Sequence, residues 1–389
     1  MRWRPRLVRR IAEIDSAAWD ACAGTENPFT SHAFLLALEE SGAVADDKGW
    51  APHHLALEDE AGTVVAAAPA YLKSHSYGEY VFDHGWAEAY ERAGGRYYPK
   101  LQIAVPFTPV PGPRLLVRSG PNQDERRRAL IATAVDLVRD NALSSLHVTF
   151  STEAEARLME GLGLLRRRGQ QFHWENRGFA DFDAFLAALA ARKRKAIRKE
   201  RREVAAAGIA IETLRGAEIS EEHWDAMFAF YMDTGSRKWG RPYLNRRFFS
   251  LIGASMQERI VLFLAGRDGR PIAGALNFLG SDCLYGRYWG SIEEVKHLHF
   301  ELCYYRAIDH AIRHRLARVE AGAQGPHKLA RGYLARPTHS AHFILDPGFR
   351  RAVGDFVARE RLAVDADIDE LESLGPFRKD GAGGDRSAG

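Results

Sequence analysis

Hydrophobic and polar positions alternate along this chain in two periods, and their succession predicts a layered protein of α/β (α+β) class. Near the start, "NPFTSHAFLLALEESG" carries apolar residues at helical spacing, with Phe34, Leu35 and Leu38 on one face, Thr30 or Ser31 as the opening cap and Gly42 as the stop. "HHLALEDEAGTVVAAAPAYLKSHS" changes to strand character and predicts a β-hairpin turning at residues 60–62. "YYPKLQIAVPFTP" predicts another strand, which its prolines push to an edge or end abruptly. A helix over about 124–140 leads into the strand "SSLHVTF", and one over about 153–165 leads into "QFHWENRG".

The second half starts again. "DFDAFLAALAARKRKAIRKERREVAAAG" holds Phe182, Phe185, Leu186, Leu189, Ile197 and Val204 near helical spacing, with Asp181 as cap and Gly208 as stop. A helix near 221–232, strands within "RIVLFLAGRDGRPIAGALNFLGSDCLYGRYWG", a helix over about 298–315 and the segment "ARVEAGAQG" follow. "GTVVAAAPAYLKS" from Gly62 lies without gaps over "GRPIAGALNFLGS" from Gly269, and "AVDLVRDNAL" from Ala134 over "AIDHAIRHRL" from Ala307. Two collinear matches predict a duplicated unit. The expected organisation is 1–175 for one domain, 176–375 for a second preceded by a basic helix, and a disordered tail over 376–389, rich in Gly, Asp and Arg.

Composition narrows the function classes. With 389 residues and 46% hydrophobic content, the chain can bury the cores of two or three domains. No apolar run approaches eighteen residues, and "MRWRPRLVRRIAEID" returns to charge almost at once, so a soluble cytoplasmic protein without membrane insertion is expected. Cys22, Cys283 and Cys303 stand outside any CxxC spacing. "RKRKAIRKERR" (192–202) carries eight basic side chains and one Glu, so the local charge of +7 exceeds the +3 of the whole chain. Either a polyanion grip or a solvated helix face fits that pattern.

The segments "YWGSIEEVKHLHFELCYYRAIDHAIRHRLARVEAGAQGPHKLARGY" and "RKRKAIRKERREVAAAGIAI" resemble the FemAB-like peptidyltransferases. Together with "KSHSYGEYVFDHGWAEAY", "YYPKLQIAVPFTPVPGPRLL" and "QFHWEN", they are similar to the FemAB-like family of peptidoglycan biosynthesis or recognition, over nearly all of residues 15–360. The resemblance implies two tandem GNAT-like domains, each a mixed twisted sheet flanked by helices, and an acyltransferase or aminoacyltransferase forming an amide on an amine. It further implies aminoacyl-tRNA or acyl-CoA as co-substrate rather than a tightly bound cofactor. The acceptor would be a small-molecule or peptide amine.

Candidate residues follow. In "GAQGPHKLARGY", Gly322, Gly325 and Gly332 permit close backbone approach, Gln324 can donate and accept, and Lys328 or Arg331 can stabilise an oxyanion. The resemblance aligns Lys328 with the Lys of a Phe-Lys pattern, where His327 replaces the Phe, and Glu320 with the acidic residue before it. Glu301 or His299 is a candidate base for the attacking amine, directly or through water, and Tyr288 or Tyr304 a candidate donor. Lys73, His75, Tyr80, Asp83, Lys100, Gln102 and Arg287 are candidate walls of an acceptor cleft between halves. Arg194, Lys195, Arg198 and Lys199 are candidate contacts to donor phosphate. The closest sequence to a CoA-binding loop, "RYWGSI", runs into Glu293 and Glu294, which would repel a diphosphate. Three His pairs lack a third ligand at recognisable spacing, so no metal is expected.

Overall fold

A computed structural model describes residues 3–238, 242–322 and 326–378. The predicted hairpin is present as β3 (His54–Glu58) and β4 (Val64–Ala68), which join β1 (Arg4–Val8) and β7 (Leu116–Val117) in an antiparallel sheet ordered β1-β3-β4-β7. After Pro69 the chain passes from β4 into β5 (Ala70–Lys73), which belongs to a second, eleven-stranded sheet. That sheet also contains β2 (Trp50–Pro52), β6 (Lys100–Ile103), β8 (Ser145–Ser151) and β9 (Leu165–Glu175) from the first half. From the second half come β10 (Ala210–Arg215), β11 (Ile260–Arg267), β12 (Arg270–Leu279), β13 (Cys283–Ser291), β14 (Arg318–Glu320) and β15 (Leu334–Ile344).

The two halves share a connectivity. In the first, β5 pairs antiparallel with β6, a helix over Gln123–Asp140 crosses, and β8 returns parallel to β6. In the second, β12 pairs antiparallel with β13, helical turns over residues 298–313 cross, and β14 returns parallel to β13. The final strand of each half then pairs with the other half. β9 lies against β14 and β15 lies against β8, so one sheet runs through both units in the order β10-β11-β12-β13-β14-β9-β15-β8-β6-β5-β2.

Local caps set several helix starts as the sequence indicates. Ser31 accepts from Phe34 N, and Thr152 forms a reciprocal capping box with Glu155. The stretch expected as one helix from Asp181 to Gly208 is instead two: α6 (Phe182–Ala188), capped by Asp181, and α7 (Ala191–Ala206), separated at Leu189, whose backbone is extended. The fully buried Leu189 bridges to Phe377, and packing it there breaks the helical run. The expected 153–165 helix ends at Gly161, where the long strand β9 begins soon after. A helix over Pro347–Ser373, absent from the sequence reading, packs Val353, Val357 and Ile368 down against β9 and β15. The halves share one core in which Phe29 meets Phe278 (ring centroids 5.1 Å) and Phe34 meets Phe248 (5.8 Å). Among the described residues no helix is long and apolar enough to cross a membrane.

Candidate active site

The parallel pairing of β13 with β14 ends at Tyr285 opposite Glu320, although β13 continues to Ser291 against β12. Beyond that point β14 ends while β13 runs on. On its other side β13 carries a bulge: Leu276 pairs with Tyr288 and Asn277 with Gly286, which leaves Arg287 as the extra residue. Gly286 to Trp289, where the pairing with β14 stops, are only partly buried although the strand is central.

Arg287 donates from Nη2 to the Phe107 carbonyl of the first half (2.9 Å) while its Nε is buried without a partner. The Tyr288 hydroxyl is likewise buried and makes no hydrogen bond of good geometry; burial pushes its pKa up to about 12, and Arg287 and Thr108 beside it oppose that rise. Tyr80 borders the same place: burial raises its pKa and the charge of Arg287 opposes that rise. Lys328 is buried and donates to the Gly322 carbonyl (2.7 Å); burial brings its pKa down to about 8, and Arg287 acts in the same direction. Glu320 accepts from Arg318 through Oε1 (3.2 Å), and its Oε2 lies 3.8 Å from His173 with no hydrogen bond. Gln324 lies outside the described residues, as do Gly325 and most of the 376–389 tail.

A second group surrounds the turn of Pro326–Arg331. His327 Nε2 lies 2.9 Å from the Tyr304 hydroxyl, and the ring of His299 packs against Tyr304 (5.3 Å), Trp289 (5.2 Å) and His327 (6.3 Å). Arg331 is tied to Glu200 of α7 (3.0 Å), to the Tyr305 hydroxyl (3.0 Å) and to the His327 carbonyl (2.9 Å). Glu301 is placed differently from a free base. Its two oxygens accept from Arg201 (3.1 Å each) and from Arg306 (3.1 Å), which holds it in an ion-pair network.

The basic helix therefore has two faces. Glu200 and Arg201 turn inward to these pairs with the buried Ile197 and Val204, while Arg192, Lys195, Arg198, Lys199 and Arg202 are exposed. Of the candidate phosphate contacts, Arg194 donates to the Leu189 carbonyl (3.3 Å) and closes the break between helices, Arg198 pairs with Asp183 (3.1 Å), and Lys199 pairs with Glu203 (3.6 Å). Lys195 extends into solvent. Between α7 and the 326–331 turn lies a cavity of about 250 Å³ lined by Arg192, Lys193, Glu200, Tyr305 and Arg331. Arg192 and Lys193 were not singled out individually in the sequence, because nothing local distinguishes them from their basic neighbours.

The first-half candidates gather elsewhere. Lys100 Nζ donates to Ser76 Oγ (2.8 Å), Glu79 Oε2 (2.8 Å) and Asp83 Oδ2 (2.5 Å). Asp83 also accepts from the Tyr97 hydroxyl (2.7 Å), and His147 joins at 3.4 Å from that hydroxyl and 2.7 Å from His342. Burial alone would raise the Asp83 carboxyl, but Lys100 and His147 outweigh it and hold the group below the usual carboxylate range. Burial pushes Lys73 down to about 7 and Glu79 up to about 7. His75 Nε2 donates to the Lys48 carbonyl (3.0 Å), and Gln102 donates to Thr149 (2.9 Å) away from the charges. Tyr97 and His147 escaped the sequence reading and His342 entered it only in a histidine pair, because β8 and β15 bring the two histidines here from far along the chain.

The "RYWGSI" segment is strand to Ser291, and the next helical turn starts at Leu298. A Cβ at Gly290 would meet the Phe230 carbonyl oxygen at 2.0 Å, so this glycine serves close packing against the helix Glu221–Lys238 and not a phosphate cradle at a helix start.

A family model for FemAB-like peptidoglycan biosynthesis/recognition proteins matches residues 10–379. The chain belongs to this FemAB-like family. Its fold is similar to that of FemX, at 12% identity and a TM-score of 0.56, covering 90% of this chain and 100% of that one. The C-terminal domain of a putative lysylphosphatidylglycerol synthetase from Agrobacterium fabrum is similar at 10% identity and 0.55, covering 90% and 96%. L-PGS from Bacillus licheniformis follows at 9% and 0.51, covering 82% and 95%. No curated protein matches the chain. The two halves of this FemAB-like chain repeat one strand, helix and strand connectivity within a single sheet.

Proposed function

We propose that this protein transfers an acyl or aminoacyl group onto the amine of a small-molecule or peptide acceptor, beside β13 past the end of β14. The observation that carries this reading is the grouping of the bulged Arg287, the buried Tyr288 hydroxyl and the buried Lys328 where the pairing of β13 with β14 ends. An amine attacking the donor's carbonyl carbon forms the new C–N bond and puts negative charge on the oxygen; collapse of that intermediate breaks the ester (or thioester) bond, and the tRNA hydroxyl (or CoA thiol) leaves with the proton that the amine gives up. Lys328, largely protonated at neutral pH, supplies a preorganised donor for that charge. Tyr288 supplies a second donor, and Arg287 with Tyr80 guides the acceptor between halves. The base role falls to His299, directly or through water, because Glu301 is occupied by two guanidiniums.

The donor in this reading is an aminoacyl-tRNA, guided by the exposed stripe of α7 toward the cavity beside Arg331. Acyl-CoA is the second reading, disfavoured by the packing role of Gly290 and by Glu293, which pairs with Arg267 (2.5 Å) where a diphosphate would need cations. No tightly bound cofactor enters either scheme. The test is detection by intact mass of an amine acceptor modified from panels of charged tRNAs and acyl-CoAs. Transfer from neither panel sinks the proposal and leaves a binding module for RNA or a cell-wall precursor.

A further inference from the structure

The first half holds a concentration of buried charge that the transfer step leaves unused. Lys73 and Lys100 stand directly opposite one another on the antiparallel strands β5 and β6, and both are fully buried. Like charges at such a cross-strand pair repel, so the sheet presents a cationic seat that requires an anion. The anions come from the irregular loop after β5, not from the sheet.

Each carboxylate has one oxygen bonded and the other, Asp83 Oδ1 or Glu79 Oε1, buried without a hydrogen bond. Asp83 Oδ2 takes hydrogen bonds from Lys100 and Tyr97. Glu79 takes one from Lys100 on Oε2, while its Oε1 is buried without a partner, 3.9 Å from Lys73 Nζ. Lys73 in turn has only the Tyr77 carbonyl (3.3 Å), His75 Nδ1 (3.5 Å) and the face of Trp50 (3.6 Å to the centroid). A buried ammonium and a buried carboxylate oxygen each lie just beyond hydrogen-bond reach of the other, which stabilises neither fully. The loop bearing Glu79 has left-handed backbone at Gly78 (φ 81°) and Tyr80 (φ 61°), and exposes Tyr77 and Phe82. Its Tyr80 is the residue beside Arg287.

We infer that Lys73 and Lys100 form a carboxylate-binding seat filled by Glu79 in this state, and that a carboxylate of the incoming acceptor takes that place as the 74–82 loop folds back. One monoanion replaces another, and Asp83 stays with Lys100, so the buried charge is unchanged. A phosphate dianion fits less well, since its added charge has no added cation. The acceptor is then an amine that also carries a free carboxylate, of amino-acid or peptide kind. That last step rests on the amine-acceptor reading above; the seat does not.

Glu79→Ala vacates the seat, and propionate restores the missing carboxylate with its methylenes. Propionate should raise the melting temperature of the Glu79→Ala protein, propionamide should not, and the Lys73→Met/Glu79→Ala protein should not respond. If Glu79→Ala fails to fold, calorimetry on the unmodified protein and on Glu79→Gln decides. N-acetylglycine should bind to both, more tightly to Glu79→Gln, while N-acetylglycinamide should not bind, and Lys73→Met should weaken binding by about thirtyfold or more. Equal rescue of the double variant, binding that Lys73→Met leaves unchanged, or preference for inorganic phosphate over carboxylate overturns the inference. These measurements contain no acyl donor, so failure of acyl transfer leaves them standing, and their failure leaves the transfer reading intact.

Discussion

Lys328→Met keeps the length and apolar stem of the side chain and deletes its charge. Lys328 is buried, its ammonium is held by one backbone carbonyl at 2.7 Å, and its pKa is brought down to about 8. About nine in ten of these side chains are therefore charged at pH 7 and about one in ten at pH 9. If the ammonium stabilises the oxyanion, kcat of the unmodified protein falls about tenfold across that interval. The Met variant loses about a hundredfold in kcat at pH 7, equivalent to ~2.7 kcal/mol, and its residual rate lacks the alkaline limb. Stability has the opposite sign. Between about 8 and the unfolded value of about 10.4 the unfolded chain binds the Lys328 proton more tightly, so this group makes the folded state more stable as pH rises. A falling rate beside a rising contribution to stability separates lost catalysis from unfolding. The assay is product formation against pH for both proteins, with thermal melts in the same buffers. A Met variant that retains turnover, or retains the same alkaline limb, refutes the role.

Lys100→Met leaves Glu79 and Asp83 buried without their cation and should destabilise by about 3–5 kcal/mol in urea unfolding followed by tryptophan fluorescence. Adding Glu79→Gln and Asp83→Asn should recover most of that loss, and a single variant as stable as the parent contradicts the account. Replacing Arg192, Lys195, Lys199 and Arg202 by Gln should preserve the helix yet lower the slope of log K against log salt for tRNA binding by about 3. An unchanged slope makes the stripe a solvated face only. Gly290→Ala should destabilise the second half by several kcal/mol, because its Cβ meets the Phe230 carbonyl oxygen; a normal melt with unaltered packing argues against that constraint.

The parts legible in the sequence are those decided within a few residues. Ser31 and Asp181 cap helices with their own side chains, and the 62–73 and 269–279 segments read as matching strands because burial on a sheet selects the same residue types twice. The crowding of Lys73, His75, Glu79 and Asp83 was visible for the same reason, since loop and strand are adjacent in the chain. Even there, the sequence showed charges close together but not which carboxylate meets which lysine.

Local pattern thus determined most of the elements, the duplication and the family, while long-range pairing decided how they act. The exchange of β9 and β15 between halves depends on hydrogen bonds across more than a hundred residues, which no periodicity encodes. The bulge at Arg287 arises from a register shift against β12, so it is a property of two strands and not of "RYWG" alone. Glu301 and Arg201 looked like a catalytic base and a surface charge; a hundred residues apart, they neutralise one another once α7 packs on the second half, because a buried charge is retained only where the fold supplies its opposite.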